Sequence, residues 1–315
     1  MLNFIKKLII FFIPYGIVNI YNKGYIGIFF QGIYLKIKYR NFKPKYYLSV
    51  VAVIKNEGQY LVEWLEFHKL VGVEKFYLYD NESEDNTKDV LQPYIQCGMV
   101  EYYFCPGKAK QEWAYNDILK KTGNETFWLA LIDIDEFILP IEKETIPMIL
   151  KEFEGYGGLG VHWLIYGSGW KDKKDDGFVI ERFKDHSETD FFQNKTFKMI
   201  INPRWVSKIG IYYSVYDNFF NVFYSIFKKG FCVNENHEKL GSGPFNATIT
   251  IKKIRINYYF SKSKEEYLKK RESGRSTMLD VKKIFENFEK FNKNDIKNDT
   301  IMDIYAQKLK KELNC

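Results

Sequence analysis

Apolar and polar positions alternate in a regular order between residues 48 and 132. The segment Leu48–Ile54 is a continuous apolar run rich in β-branched residues, which is typical of a strand buried on both faces of a sheet. We predict further strands at 76–79, 99–104 and 127–132, with intervening helices at 60–70, 87–95 and 110–121. Strands and helices that alternate in this way form right-handed βαβ units, whose ligands bind at the carboxyl ends of the strands.

The chain beyond Pro140 has a less regular pattern. We expect short strands and loops between 196 and 260, and charged helices between 262 and 314. Hydrophobic residues make up 46% of the sequence, which is enough for a large core and excludes an intrinsically disordered protein. The prediction is an α/β protein with a basic arm at 1–45, a main domain at 46–260 with halves 46–140 and 141–260, and a helical C-terminal tail at 261–315.

The N-terminal arm has a charge of its own. Residues 1–45 contain eight basic side chains and no acidic one, whereas the net charge of all 315 residues is +7, so the rest of the chain is close to neutral. Apolar residues recur at helical spacing from Phe4 to Ile13, and Pro14 is expected to end that helix. The run is too short for a transmembrane span, which needs about 20 apolar residues. We expect either peripheral contact with a membrane or docking on the protein's own core, and no nucleic-acid partner.

The four cysteines, at positions 97, 105, 232 and 315, are scattered and form no C-x-x-C pair. This usage in a chain of such length indicates a reducing compartment rather than a disulfide framework. We therefore expect the protein in the cytoplasm, or peripherally bound to the cytoplasmic face of an inner membrane.

Two acids follow the strand predicted at 127–132. Asp133 and Asp135 have i, i+2 spacing, which on an extended chain points both side chains the same way. Neighbouring carboxylates repel each other unless a cation lies between them, and Mg²⁺ or Mn²⁺ suits such oxygen ligands and often binds substrate phosphates as well. The alternative is a pair of solvated surface acids. Asp80, at the end of the second strand, is a candidate acceptor for a hydrogen bond from a base or ribose.

The sequence carries a series of short motifs in a defined order. Those of the first half are Lys55-Asn-Glu57, Glu63-Trp64 with His68, Tyr79-Asp-Asn81 with Ser83, Gln111 with Ala114-Tyr-Asn-Asp117, and Asp133-Ile-Asp-Glu-Phe137. Those of the second half are His162-Trp163 with Tyr166-Gly-Ser-Gly169, Lys198 with Asn202-Pro203, Lys262-Ser263, and Lys269 with Gly274. Over about residues 48–275, this set resembles glycosyltransferase family 92 and the bacterial family-2-like glycosyltransferases near it.

The resemblance implies a GT-A fold, which is a Rossmann-like, mixed and mostly parallel sheet flanked by helices. It implies inverting transfer of a sugar, galactose in characterised relatives, from a nucleoside-diphosphate sugar such as a UDP-sugar to a glycan or glycolipid acceptor. In that analogy 46–140 is the nucleotide-sugar half, 141–260 is the acceptor half, and Mn²⁺ or Mg²⁺ is held by Asp133 and Asp135. The implied contacts of the nucleotide sugar are Lys55, Asn56, Glu57, Asp80, Gln111, Asn116 and Asp133.

One departure from the family pattern concerns the metal. The family has an Asn-His-Tyr triplet before the Lys-Ser pair, and this chain has Asn257-Tyr258-Tyr259 instead. The missing histidine leaves the third protein ligand of the metal in doubt. His237 lies upstream and is a candidate substitute, although a lone histidine in a polar loop is more often simply exposed.

Inversion requires a base that takes the proton of the acceptor hydroxyl. Glu181, which follows the glycine-rich part of the acceptor half, is our candidate, with Glu235 and Glu238 as alternatives. The sequence thus predicts a metal-dependent glycosyltransferase of bacterial surface-polysaccharide synthesis. The alternative is a non-catalytic, membrane-associated protein that binds a sugar nucleotide or a glycan.

Overall fold

The computed structural model describes residues 43–210, 214–216, 232–241, 245, 248–272 and 281–313. The helix predicted at the N-terminus and nearly all of the basic arm lie outside these residues. None of the helices within them combines the length and the apolar character that a bilayer-spanning helix requires.

Eleven strands and eight α-helices make up the described part of the chain. The strands are β1 (Tyr46–Ile54), β2 (Lys75–Asp80), β3 (Val100–Phe104), β4 (Thr126–Leu131), β5 (Glu136–Pro140), β6 (Gly158–Ile165), β7 (Phe197–Ile201), β8 (Val206–Ile209), β9 (Ser214–Tyr216), β10 (Cys232–Val233) and β11 (Ile254–Tyr258). The helices are α1 (Gly58–Leu70), α2 (Thr87–Gln96), α3 (Gln111–Thr122), α4 (Ile146–Leu150), α5 (Val179–Arg182), α6 (Lys264–Glu272), α7 (Val281–Phe291) and α8 (Asp303–Leu313).

Nine of these strands form one mixed sheet. Its order is β3-β2-β1-β4-β7-β6-β11-β5, and β10 pairs with β6 outside that path. Strands β3, β2, β1 and β4 are parallel neighbours, whereas β7 runs antiparallel to β4 and β6, and β5 runs antiparallel to β11. The predicted α/β architecture is confirmed: a mixed, mostly parallel sheet flanked by helices, followed by a helical C-terminal segment.

The two faces of the sheet pack against different helices, because successive side chains of a strand point to opposite faces. Val50 and Ala52 of β1 belong to the larger core, together with α1 and α2. Val51 belongs to a second core, together with buried side chains of α3 such as Tyr115 and Ile118. This burial on both faces explains why β1, β2 and β4 are continuous apolar runs in the sequence.

The register of the parallel strands brings their carboxyl ends together. Ile54 of β1 pairs with Asp80 of β2, which pairs with Phe104 of β3, and Val51 of β1 pairs with Leu131 of β4. The loops that follow β1, β2, β3 and β4 therefore meet at one edge of the sheet, which we call the carboxyl edge.

The C-terminal helices pack on the main domain. Tyr305 of α8 meets Phe67 of α1 with 5.3 Å between ring centroids, and Ala306 and Leu309 are buried. Lys293, just after α7, packs so closely that a Cβ on Gly167 would lie 2.2 Å from its carbonyl oxygen. The tail is thus part of the packed structure and not a solvated appendage.

Candidate active site

An acidic turn follows β4 at the carboxyl edge. The backbone N–H of Glu136 donates to the Asp133 carbonyl at 3.1 Å, and the backbone N–H of Asp133 donates to the Glu136 carboxylate at 2.8 Å. Residues 133–136 therefore form a closed turn, whereas the i, i+2 argument assumed an extended segment. The N–H of Tyr259 donates to the Asp135 carbonyl at 2.8 Å and fixes the turn against the chain that follows β11.

One lysine lies on the inner side of this turn. The Lys198 ammonium, from β7, is 2.8 Å from Asp133 and 3.4 Å from Glu136. Burial raises the pKa of Glu136 to about 8, although the Lys198 charge opposes this shift. The Asp133 side chain is 31% exposed, and its second oxygen accepts a hydrogen bond from Gln111 at 2.8 Å. Asp133 is therefore held in place while still facing solvent.

A second lysine reaches the turn from α6. The Lys270 ammonium lies 2.8 Å from Asp135 and 2.9 Å from Glu57. Burial alone would lower the pKa of Lys270, but these two carboxylates raise it above its ordinary value. Lys262 is also buried, with its ammonium 4.2 Å from the ring centroid of Tyr60, and burial together with the nearby charge of Lys270 lowers its pKa. Three lysines and four carboxylates thus share this part of the edge.

The loop after β1 is joined to the loop after β2. Asn56 has a φ of 53°, a left-handed conformation that asparagine tolerates better than most residues. Its N–H donates to Ser83 Oγ at 2.9 Å, and its side-chain oxygen accepts from the N–H of Glu84 at 2.7 Å. Lys55, directly before it, is partly exposed. The backbone of this loop is therefore fixed at the edge where a nucleotide is expected.

Asp80 has a different environment from the one we expected. One carboxylate oxygen accepts the N–H of Ser83 at 2.9 Å, and the other accepts the hydroxyl of Tyr102 at 2.7 Å. The residue is only 3% exposed. Its contacts in the described chain thus hold the loop after β2. A hydrogen bond from a base or ribose would have to share the same two carboxylate oxygens of Asp80.

Asn116, predicted near the donor, ties α3 to β8 instead. Its amide donates to the carbonyls of Glu112 and Ile209 at 2.6 Å each, and its oxygen accepts the N–H of Ile209 at 2.9 Å. Of the predicted residues, the structure therefore brings together Gln111, Asp133, Asp135 and Glu57, but gives Asn116 a structural role.

The candidate third ligand His237 lies elsewhere. Its ring stacks on Phe153 with 4.8 Å between ring centroids and lies tilted against Tyr156 at 5.5 Å, and both of these residues precede β6. Because β4 and β6 both pair antiparallel with β7, they run in the same direction, and the start of β6 lies level with Leu129 of β4, on the amino-terminal side of the acidic turn. In the described residues, the structure therefore does not group His237 with Asp133 and Asp135. The polar surroundings of His237 in the sequence gave no sign of its contact with Phe153.

The predicted bases are also engaged in other contacts. Glu181 in α5 pairs with Lys310 of α8 at 2.6 Å, so it lies at the contact between these two helices. Glu235 accepts three backbone N–H groups, those of residues 252 to 254, and Glu238 accepts from the side chain of Asn234 at 2.7 Å. Glu235 and Glu238 therefore hold loops together.

Sequence reasoning missed the role of Lys270. The run Lys264–Glu272 reads as a charged, solvated helix, and nothing local distinguishes Lys270 from its neighbours. Lys198 and Lys262 were included in the motif set. Tyr258, at the position where the family pattern has histidine, is buried against Trp163 with 4.3 Å between ring centroids. The contacts of Lys270 with Asp135 and Glu57 span more than a hundred residues, so no local pattern in the sequence could have shown them.

The chain is similar to known proteins of two kinds, solved structures and relatives by sequence. Among solved structures it is similar to Staphylococcus aureus TarS residues 1–349, with 12% identity, a TM-score of 0.39, and 78% of this chain and 70% of that one covered. It is also similar to glucosyl-3-phosphoglycerate synthase from Mycobacterium tuberculosis in complex with Mn²⁺, UDP and glucosyl-3-phosphoglycerate, with 14% identity, a TM-score of 0.32, and 64% and 72% covered.

Relatives by sequence are plant proteins. A glycosyltransferase family 92 protein of Oryza sativa subsp. japonica is 27% identical over 107 residues, which cover 34% of this chain and 18% of the relative. One of Ricinus communis is 29% identical over 91 residues, which cover 29% and 16%. The chain thus matches less than a fifth of the length of either relative. The family model of glycosyltransferase family 92 matches residues 49–311, and the chain therefore belongs to glycosyltransferase family 92.

Proposed function

We propose that this protein is a glycosyltransferase that takes a sugar from a nucleoside-diphosphate sugar at the carboxyl edge. The observation that carries the proposal is the acidic turn, in which Asp133 and Asp135 each contact a lysine at 2.8 Å. Carboxylates and ammonium groups side by side supply ligands for a cation and for an anionic diphosphate. Membership of the family supports glycosyl transfer as the reaction class.

The residues of the turn fit Mn²⁺ or Mg²⁺ held by two carboxylates. In the described ranges, no three His, Cys, Asp or Glu side chains lie close enough together to share a metal ion. Two protein carboxylates are nevertheless enough for an ion that also uses waters and substrate phosphates as ligands. Among the residues that the structure describes, one buried oxygen of Glu57 and one of Glu136 have no hydrogen-bond partner, so the site has polar atoms available to a cation or its waters. Such an ion, when bound by Asp133 and Asp135, offsets the charge that develops on the leaving diphosphate.

The chain's own groups then have distinct tasks. Gln111 holds the orientation of Asp133 through its 2.8 Å hydrogen bond. Lys262 and Lys270 bring ammonium groups to the same edge, where they attract the diphosphate. The loop of Lys55 and Asn56 is the proposed contact of the nucleotide, because its backbone is fixed and it borders the acidic turn.

Inversion at the sugar needs a base on the acceptor side. Glu181 remains the proposed base. It forms an ion pair with Lys310 and has to leave that lysine to act; the Glu181 side chain is 24% exposed and that of Lys310 is 47% exposed. An exposed ion pair contributes only about 0–1 kcal/mol, so such a release has a low energetic cost. The acceptor hydroxyl would lose its proton to this carboxylate as it attacks the anomeric carbon opposite the diphosphate.

The acceptor and the location are proposed from the basic arm. We propose a glycan or lipid-linked acceptor, galactose as the sugar, and a cytoplasmic membrane surface of a bacterium as the place of action. The support is the excess of eight basic side chains in residues 1–45, which favours an anionic surface. Binding of the protein to vesicles with and without anionic lipid tests this part, and equal recovery from both would contradict it.

A non-catalytic binder of a sugar nucleotide is the second candidate function. It is favoured by Tyr258 in the place of the family's histidine and by the lysines on both carboxylates of the turn. A binder retains affinity for the nucleotide but does not release the sugar.

Donor hydrolysis separates these two functions. A panel of nucleotide sugars is incubated with the protein in Mn²⁺ or in EDTA, and released UDP or another nucleoside diphosphate is measured. We expect release from one donor in Mn²⁺ alone, and a loss of about 100-fold or more in Asp135→Asn, since removal of one electrostatic group at a reacting centre typically costs 10²–10³.

Asp190→Asn is the matched control, because Asp190 is an exposed carboxylate in a loop. It should release the nucleotide at the wild-type rate. A protein that binds a donor but releases nothing in either buffer is a binder, and equal release by wild type and Asp135→Asn would refute the role of the acidic turn.

A further inference from the structure

Lys270 occupies the position beside Asp135 in which the divalent cation is proposed. Its ammonium nitrogen lies 2.8 Å from Asp135 and 2.9 Å from Glu57. The two carboxylate side chains are only 4% and 8% exposed, so this pairing is shielded from water on the acidic side. The ammonium group therefore supplies the positive charge that these buried carboxylates require.

The charges of the edge are close to balance without any ligand. Carboxylates and ammonium groups face each other there, namely those of Glu57, Asp133, Asp135 and Glu136 and those of Lys198, Lys262 and Lys270. A divalent cation that enters alone has to break the Asp135–Lys270 pair and adds two positive charges. A diphosphate that enters alone adds negative charge beside Glu57, Asp133 and Asp135. Each ligand by itself is therefore disfavoured, whereas the two together keep the balance.

We propose that Lys270 is an exchangeable counter-cation: it yields Asp135 to the metal ion and moves its ammonium group onto the diphosphate of the donor. Metal and nucleotide then bind cooperatively, because each supplies the charge that the other lacks. This inference rests on the proposed metal site and extends it by naming the residue that couples the two ligands.

The surroundings of Lys270 allow its side chain to move while its helix stays. Four residues earlier in α6, Glu266 forms a buried ion pair with Arg182 of α5 at 2.8 Å, with side-chain exposures of 2% and 4%. This contact fixes the backbone of α6. The Lys270 side chain is 24% exposed, more than either of its acidic partners. Its flexible four-carbon stem can therefore change rotamer toward the solvent side while the helix stays in place.

The test measures Mn²⁺ binding to the full chain by electron paramagnetic resonance, with and without UDP. For the wild type, we expect UDP to raise the Mn²⁺ affinity by about tenfold or more, which is an ordinary size for coupling between two ligands. In Lys270→Met, Mn²⁺ alone should bind about tenfold more tightly than in the wild type. UDP should raise the Mn²⁺ affinity of this variant by a smaller factor than in the wild type, and the part that remains comes from direct ligation of the ion by the diphosphate. Lys270→Gln removes the charge but keeps a hydrogen-bond donor, so it should behave like Lys270→Met and guards against a packing defect.

Lys264→Met is the matched control, because Lys264 is an exposed lysine of the same helix. It should retain the wild-type coupling. If both Lys270 variants are folded by circular dichroism and keep the wild-type Mn²⁺ affinity and coupling, the exchange role is refuted while the metal site stands. If the wild type binds no Mn²⁺ even with UDP, the metal part of the proposed function fails, and the exchange role fails with it.

Discussion

Replacing Arg182 by methionine is expected to destabilise the protein and to loosen the helix that carries Lys270. The Arg182 guanidinium donates to both oxygens of Glu266, at 3.0 and 2.8 Å, and both side chains are nearly inaccessible to solvent. This pair connects α5 to α6. The variant therefore removes the charge that compensates a buried carboxylate and, at the same time, one anchor of the carboxyl edge.

The size of the loss follows from what remains around Glu266. Breaking a buried ion pair by removing one partner typically costs about 3–5 kcal/mol, because an uncompensated charge stays behind. Glu266 still accepts hydrogen bonds from the Tyr60 hydroxyl at 2.9 Å and from the Ser263 hydroxyl at 2.6 Å. These donors partly stabilise the carboxylate, so we expect a loss near the lower end, about 3 kcal/mol.

Urea denaturation measures the free energy of unfolding of Arg182→Met against the wild type. Lys310→Met is the control, since it removes a lysine from a partly exposed ion pair with Glu181 and should cost under about 1 kcal/mol. Equal losses in the two variants would refute the reasoning, because burial would then have no effect on the contribution of the pair.

The same pair predicts a pH dependence. Burial raises the pKa of Glu266, but hydrogen bonds from Arg182 and Ser263 outweigh it and hold the pKa at about 2. An unfolded glutamate has a pKa of about 4.3, so the ionised group stabilises the fold above that pH, and its contribution is lost as the pH falls toward 2. The difference in unfolding free energy between wild type and Glu266→Gln should therefore shrink between about pH 5 and pH 2. A difference that is constant over this range would contradict the lowered pKa.

Two further predictions concern packing. His237→Ala removes the stack on Phe153, with 4.8 Å between ring centroids, and should lower the free energy of unfolding by about 0.5–1.5 kcal/mol. The affinity for Mn²⁺ should stay unchanged; a loss of Mn²⁺ binding would instead support His237 as a ligand. Gly167→Ala places a Cβ 2.2 Å from the Lys293 carbonyl and should cost about 1–3 kcal/mol, whereas Gly123→Ala, with its nearest atom at 3.8 Å, should change the unfolding free energy by under about 1 kcal/mol. Equal unfolding free energies for the two glycine variants would contradict the close packing of the tail.

The parallel half of the sheet could be predicted from the sequence because its signals are local. The strand predicted at 48–54 is observed at Tyr46–Ile54, and the strand predicted at 127–132 is observed at Thr126–Leu131. Each is a short apolar run that a polar turn ends, and burial on both faces requires such a run. The place of β7 between β4 and β6 was not predictable, because strand order depends on contacts between distant segments.

The site was predictable only in part for the same reason. The position of Asp133 and Asp135 follows from the strand before them and the general rule for ligands of α/β sheets. The contact of Asp135 with Lys270 spans 135 residues, and α6 has the composition of an exposed helix. The closed turn at 133–136 depends on the Glu136 carboxylate that accepts the Asp133 N–H, a bond that the spacing of the two acids does not reveal.

The most direct test of the central claim is the anomalous scattering of manganese in crystals grown with Mn²⁺ and UDP. The proposed function predicts one manganese peak, at a position within ligand distance of carboxylate oxygens of both Asp133 and Asp135 and of the diphosphate. Bound UDP with no manganese at the turn, and with Lys198 and Lys270 still paired to these acids, would contradict it.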